Sequence, residues 1–292
     1  MFELEQVGKN TYYITNPAKM GVYDCGDSGV YLFDTGIDKD AGRRIRQILD
    51  AKGWRLKAII NTHSNADHIG GNQYLQKLFG CRVFANGIEA AFASHPIMEC
   101  SFLYGGYPFS DLRHKFLLAP DCVADDFSHP EFPDLFEVIP LPGHFFDMVG
   151  FRTPDDVVFL ADSLCSETTL EKYAITFVYD VAAYLDTLKK LETLPAKMFV
   201  PAHADATEDI AGLARLNTAK VLEIAEAIKA QCAAPQTFED ILKAMCDRYQ
   251  IALTFEQYVL VGSTIRSYLA WMKDAGEMDV VFEDNRMFWK RV

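Results

Sequence analysis

Positive charge is the first thing the sequence is short of. Its 28 Lys and Arg face 41 Asp and Glu, a net charge of −13, which disfavours a general nucleic-acid or anionic-membrane partner. No apolar run reaches the length of a membrane span, and Met1-Phe2-Glu3-Leu4-Glu5-Gln6 does not read as a secretory signal. The seven cysteines (Cys25, Cys81, Cys100, Cys122, Cys165, Cys232, Cys246) are odd in number, scattered, and never spaced Cys-x-x-Cys. That argues against a disulfide framework or a thiolate zinc cluster and for a reducing compartment. Each is by default a small buried hydrophobe, although Cys165, three residues past Asp162, is placed to lie near a site. No Gly-x-Ser-x-Gly elbow, phosphate loop or dinucleotide fingerprint occurs. The expectation is a soluble, cytoplasmic protein acting on a small molecule, with no membrane or nucleic-acid partner.

What the sequence does have is apolar content. Half of its 292 residues are hydrophobic, enough for one large domain or a large and a small one. Residues 2–34 alternate and carry turn residues, so they predict an antiparallel meander. Asp38 to Gly53 predicts an amphipathic helix with Ile45, Ile48 and Leu49 inward and Arg43, Arg44 and Arg46 on a solvated face. Leu56-Lys57-Ala58-Ile59-Ile60 predicts a buried strand, Asn72 to Phe79 a helix and Cys81 to Ala85 the next strand, a βαβ-like unit. Further on, 135–141, 149–152 and 157–160 predict strands, the last two a hairpin about Thr153-Pro154-Asp155-Asp156. Asp180 to Leu194 predicts a helix and Lys197 to Val200 a strand. Residues 92–134 differ: they are rich in aromatics, Gly and Pro and hold no period. They form a long insertion, either a lid over the substrate cavity or a self-packed or dimer-forming loop. His95, His114 and His129 within it fit no motif.

The rest of the chain is organised around Thr62-His63-Ser64-Asn65-Ala66-Asp67-His68-Ile69-Gly70-Gly71-Asn72. If the backbone stays extended past Ile60, positions 63, 65 and 67 project to one side. Two imidazoles, a carboxylate and an amide within six residues suit zinc, and also iron or manganese. The other reading is a polar loop capping a helix. The stretch resembles the His-x-His-x-Asp-His motif of the metallo-β-lactamase-fold hydrolases, with Asn65 standing where that motif has its second histidine. That family's later features have counterparts in order: His144 in Leu-Pro-Gly-His, Asp162 in Phe-Leu-Ala-Asp-Ser, and His203 in Val-Pro-Ala-His. Asp34, in Phe-Asp-Thr-Gly, matches a further feature that is usually structural. Each donor falls at the carboxyl end of a predicted strand, where open α/β sheets build their sites.

The resemblance spans about residues 1–210 and implies an α/β fold, an αββα sandwich, with 92–134 inserted. It also implies one or two divalent ions. His63, His144 and the Asn65 position would hold the first; Asp67, His68 and His203 the second; Asp162 would bridge. Such a centre makes hydroxide from water at neutral pH, and Asp67 would orient it or shuttle its proton as a catalytic group. A small acyl substrate, thioester or lactone, is the first reading, because no cationic track for phosphates is visible. A small phosphodiester or nucleotide is the second. The third is a non-catalytic metal- or ligand-binding relative, silenced by Asn65.

Residues 211–292 predict a long helix, two helices starting at Thr237-x-x-Asp240 and Thr254-x-x-Gln257, the second with a capping box, and a hairpin about Asp284-Asn285. This resembles a small winged-helix module. From residue 212 onward ten Lys and Arg stand against eleven Asp and Glu, no basic footprint. Packing, homodimerisation or substrate contact is the expected role.

Overall fold

The alternating residues of the first 34 positions do form a meander. In the computed structural model, which describes residues 2–292, β1 (Leu4–Gln6), β2 (Thr11–Ile14), β3 (Met20–Asp24) and β4 (Gly29–Phe33) pair antiparallel in sequence. Helix α1 (Lys39–Lys52) then crosses over. Its first turn is closed by Asp38, whose side chain accepts from Asp40 N and Ala41 N, and its end by Gly53 at φ +67°. The crossover delivers β5 (Arg55–Ile60) parallel to β4. Next come α2 (Ala66–Ile69), α3 (Asn72–Phe79), β6 (Arg82–Ala85), α4 (Ile88–Ser94), α5 (Ile97–Tyr104) and β7 (Ala124–Asp126), completing a seven-stranded sheet in sequence order.

A second sheet follows, with β8 (Glu137–Pro140), β9 (Val149–Arg152), β10 (Val157–Cys165) and β11 (Met198–His203) in the order β11-β10-β9-β8. Between β10 and β11 lie α6 (Glu167–Tyr173) and α7 (Val181–Leu191). The two sheets meet face to face through Tyr13, Phe33, Ile60 and Phe84 from the first and Phe151, Val157, Phe159 and Val200 from the second. Ile45, Leu49 and Leu75 cover the outer face of the first sheet, and Tyr184, Leu188 and Leu191 that of the second. The architecture is therefore an αββα sandwich followed by a helical region.

That region holds α8 (Ala211–Gln231), α9 (Phe238–Tyr249), α10 (Phe255–Asp274) and the hairpin β12 (Met278–Glu283) and β13 (Arg286–Arg291). The hairpin turns at Asp284 and Asn285, both at positive φ (+47° and +60°), as a two-residue primed turn demands. Its apolar cluster is continuous with that of the second sheet: Val158, Leu160 and Leu188 share it with Ile224, Ile228, Ile265 and Leu269. Among the described residues no helix is long and apolar enough to cross a membrane.

The structure departs from the sequence reading in four places. Residues 92–134 are not structureless: they carry the last three residues of α4, all of α5, a 3-10 turn at Ser110–Leu112 and β7. Helix α5 was hidden because apolar side chains occupy every side of it, leaving no 3.6-residue stripe. The full capping box belongs to Thr237 and Asp240, whereas Thr254 accepts from Gln257 N and donates its hydroxyl to Glu256 instead. The motif does not run extended to Asp67, because a helical turn begins at Ala66, with His68 N bonded to Asn65 O at 2.9 Å. Asp162 lies inside β10 rather than past its end, beside Ala161 at φ +49° where the ladder to β11 breaks register.

Candidate metal centre

The site assembles at one end of the two sheets from five segments. His63 and Asn65 come from the loop after β5, Asp67 and His68 from α2, His144 from the loop between β8 and β9, Asp162 from β10 and His203 from the last residue of β11. Two close approaches make this possible. A Cβ on Gly70 would come within 2.1 Å of the Ile37 carbonyl, so only glycine lets the motif sit against the β4–α1 loop. Gly143, at φ +119°, meets the Tyr184 backbone nitrogen at 2.3 Å from where its Cβ would be.

All four histidines are held by the same nitrogen. His68 Nδ1 lies 2.8 Å from Asp34 Oδ2, His144 Nδ1 3.1 Å from Phe177 O, and His203 Nδ1 2.8 Å from Pro17 O. His63 Nδ1 lies 3.0 Å from Thr62 Oγ1, whose own hydroxyl donates to Asp34 Oδ2 at 2.7 Å. Each partner is an acceptor, so each Nδ1 carries a proton and each Nε2 is left to face the interior. Asp34, at φ +62°, also accepts from Thr62 N at 2.8 Å. A residue read from the sequence as structural thus fixes two imidazoles.

The Nε2 atoms converge on Asp162. Its Oδ1 is 3.0 Å from His68 Nε2; its Oδ2 is 3.0 Å from His203 Nε2 and 3.6 Å from His144 Nε2. Asp67 Oδ2 is 3.9 Å from His68 Nε2 and 3.6 Å from His203 Nε2. Two groups of donors result, His63, His144 and Asp162, and Asp67, His68 and His203, within each of which the donor atoms lie within 4.8 Å of one another. Asn65 Oδ1 adds a further oxygen, 3.1 Å from His144 Nε2. All seven donors named from the sequence come together.

Charge divides the two groups. Burial drives His63 well below the usual imidazole range, and lowers His144 too. Burial also opposes charge on His68 and His203, but the carboxylates overrule it: Asp162, Asp67 and Asp34 raise His68 well above its usual range, and Asp162 with Asp67 lifts His203 to about 9. Burial would raise Asp162, yet His203 and His68 hold it well below the usual carboxylate range.

The donor set fits a divalent cation. His63 Nε2 is buried without a hydrogen-bond partner, and His68 Nε2 and Asp162 Oδ1, though 3.0 Å apart, are not aligned for a hydrogen bond, an arrangement that costs free energy unless something occupies the space between them. His144 Nε2 and Asn65 Oδ1 face each other as two acceptors at 3.1 Å. That separation is close to the roughly 3.3 Å between two ligands of one tetrahedral zinc ion. Cys165 is nearby, in register with His203. Burial pushes its thiol up to about 12, so it offers no thiolate.

Sequence reasoning missed two carboxyls, one just before the insertion and one within it. Glu89 of α4, fully buried, accepts from Ser64 N at 2.9 Å, from Ser64 Oγ and from Asp147 N at 2.8 Å. It ties the motif loop to the loop carrying His144, and burial raises its carboxyl to about 7. Glu99 of α5 accepts from Asn65 Nδ2 at 2.8 Å, and burial raises it well above the usual range. The only sequence clue to either was an acid inside an apolar stretch. An aromatic wall adjoins His144: Phe177 packs edge-on at 5.4 Å, Phe102 touches Phe146 and Tyr179, and Phe146 stacks on Tyr179 at 4.0 Å.

Comparison with known proteins bears on the family and the fold. A hydroxyacylglutathione hydrolase of Methylococcus capsulatus is 43% identical over 64 residues, 20% of this chain and 25% of that protein. One of Nitrobacter hamburgensis is 30% identical over 164 residues, 54% of this chain and 52% of its own. The chain thus spans from a quarter to about half the length of these relatives. The crystal structure of a beta-lactamase domain protein from Burkholderia ambifaria shares the fold, with a TM-score of 0.73 over 99% of this chain and 94% of that one at 18% identity. The description of the metallo-beta-lactamase superfamily matches residues 10–203, every candidate donor included, and the chain belongs to that superfamily.

Proposed function

We propose that the protein is a metal-dependent hydrolase of a small acyl substrate, a thioester or lactone, with zinc the first choice of metal and iron or manganese the alternatives. The observation that carries this reading is the convergence of four Nε2 atoms and two carboxylates, with Asp162 between the two groups. His63, His144 and Asn65 would hold a first ion, Asp67, His68 and His203 a second, and Asp162 both. Ions bound there supply Lewis acidity and a water that ionises near neutral pH.

The chain's own residues do the rest. Asp34, Thr62, Phe177 O and Pro17 O fix the tautomer and ring plane of each imidazole. Asp67, more exposed than Asp162, is placed to orient the attacking water and accept its proton. The aromatic wall beside His144 offers an apolar surface to an acyl group, and Phe102 gives residues 92–134 a share in it.

The ion pairs of Asp34, Asp67 and Asp162, among the described residues, all involve imidazole, with no Lys or Arg. That favours a neutral carbonyl over a phosphodiester, which needs cationic partners. Relatives named hydroxyacylglutathione hydrolase support a thioester. We read residues 1–210 as the catalytic domain and 211–292 as a winged-helix-like module that packs rather than binds nucleic acid. The seven unpaired cysteines support a reducing, cytoplasmic setting. Metal-replete protein assayed on hydroxyacylglutathione, a lactone, a β-lactam and a small phosphodiester tests the reading. Turnover of the acyl compounds alone is expected; phosphodiester turnover alone would transfer the function to the second class, and full metal with no turnover to a binding role.

A further inference from the structure

Asn65 departs from the motif its neighbours follow, and the structure surrounds that departure with a partner. Its amide has two chemically opposite ends. Glu99 Oε1 takes the Nδ2 end at 2.8 Å, and Oδ1 is thereby turned to the opposite side, 3.1 Å from His144 Nε2. Nothing in the motif itself dictates this choice. Rotated by half a turn, the amide would present N–H groups to the donor cluster, and an N–H group cannot bind a cation. Asn65 and Glu99 are both buried, so no bulk water competes for either end.

From this geometry we infer that Glu99 is a positioning residue for the first metal position: by accepting from Asn65 Nδ2 it holds Oδ1 as an oxygen ligand where the motif lacks a histidine. The inference rests on the two-position reading above. Glu99 does for an amide what Asp34 does for His68. An outer acceptor fixes which atom faces the ion, and loss of such a partner ordinarily costs about 10- to 100-fold in metal affinity. Glu99 also sits on a rigid support. Cys100 and Leu103, its neighbours on α5, pack with Leu112, Leu117 and Val259 of α10, and α4 is anchored by Glu89 on the same motif loop. The carboxyl is therefore delivered by the insertion to a fixed place.

The test is a titration of zinc into the metal-free full-length protein against a chromophoric chelator, resolving the two binding steps. Glu99→Gln keeps an acceptor oxygen, so its weaker step should stay within about threefold of wild type. Glu99→Met removes the acceptor, so that step should weaken about tenfold or more while the tighter step is unchanged, which also reports an intact fold. In an Asn65→Ala background Glu99→Met should add nothing, because the two act through one bond. Wild type binding a single ion would overturn the two-position reading and this inference with it. Two ions bound by wild type and bound equally well by Glu99→Met would overturn the Glu99 assignment alone, as would a full additional loss in the double variant. A measurement on wild type stands apart from any folding defect: the Asn65 side-chain amide protons, identified by their disappearance in Asn65→Ala, should exchange slowly with solvent. Exchange at the rate of an exposed amide would remove the Glu99 bond and the inference.

Discussion

The two halves of the candidate centre use the same side chain in opposite charge states. His63 and His144 stand with an amide and are held neutral by burial; His68 and His203 stand among Asp34, Asp67 and Asp162 and are held protonated in the metal-free protein. A histidine's state here is decided by how many carboxylates reach it, because burial acts on all four alike. The second position is thus a charged cradle in which protons stand in for metal. The first is a cradle of lone pairs, with a share of Asp162 as its only charge. The contrast predicts unequal binding, with the second position filled more tightly.

The largest effect should come from the residue that belongs to both halves. Asp162→Ala is expected to lower bound metal from two equivalents to one or none and turnover by more than about a hundredfold, since loss of even an outer partner reaches that range. Two retained equivalents by elemental analysis would break the shared role. Asp34→Ala comes next. It removes the acceptor of His68 directly and that of His63 only through Thr62, so the second binding step should weaken about 10- to 100-fold and the first by less. Equal losses in a two-step titration would erase the contrast between the halves.

Asn65→His replaces an amide oxygen by an imidazole nitrogen, a better zinc donor. We expect the weaker step to tighten by roughly tenfold, provided the ring fits against Glu99, with the tighter step unmoved. No change in either step would show that position 65 does not face the ion. The smallest effect is in stability without metal. His203 binds its proton more tightly folded than unfolded, its pKa rising from 6.5 to about 9. Its pairing with Asp162 therefore contributes stability that is complete below about pH 6.5 and is lost as pH rises through about 9. The urea midpoint of chelated wild type should fall across that window more steeply than that of His203→Gln; parallel curves would show that the pair is not formed.

Most of the frame was legible because it obeys one period at a time. The alternation of β2 to β4, the stripe of α1 and the buried run of β5 each match a single repeat, and the donors occur along the chain in the expected order. What could not be read was set by tertiary context. The turn that begins at Ala66 is tied down from another part of the chain, by Thr35 N donating to His68 O. The positive φ of Ala161 is not announced by its residue type, unlike that of Asp34, a type enriched there. Glu89 and Glu99 carry no spacing signal at all; they matter because α4 and α5 pack against a loop more than twenty residues upstream of each.

The contact of α10 with α5 gives the chain a timetable. Val259 lies far downstream of Glu99 in the chain, yet it joins the packing of the helix that carries Glu99. On a ribosome, all seven donor residues emerge by His203, more than fifty residues before Val259, and domains take shape as their segments appear. Maturation therefore has an order, donor atoms first and the carboxyl that aims Asn65 last. Until Val259 has been made, the apolar side of α5 that it covers has no cover from α10.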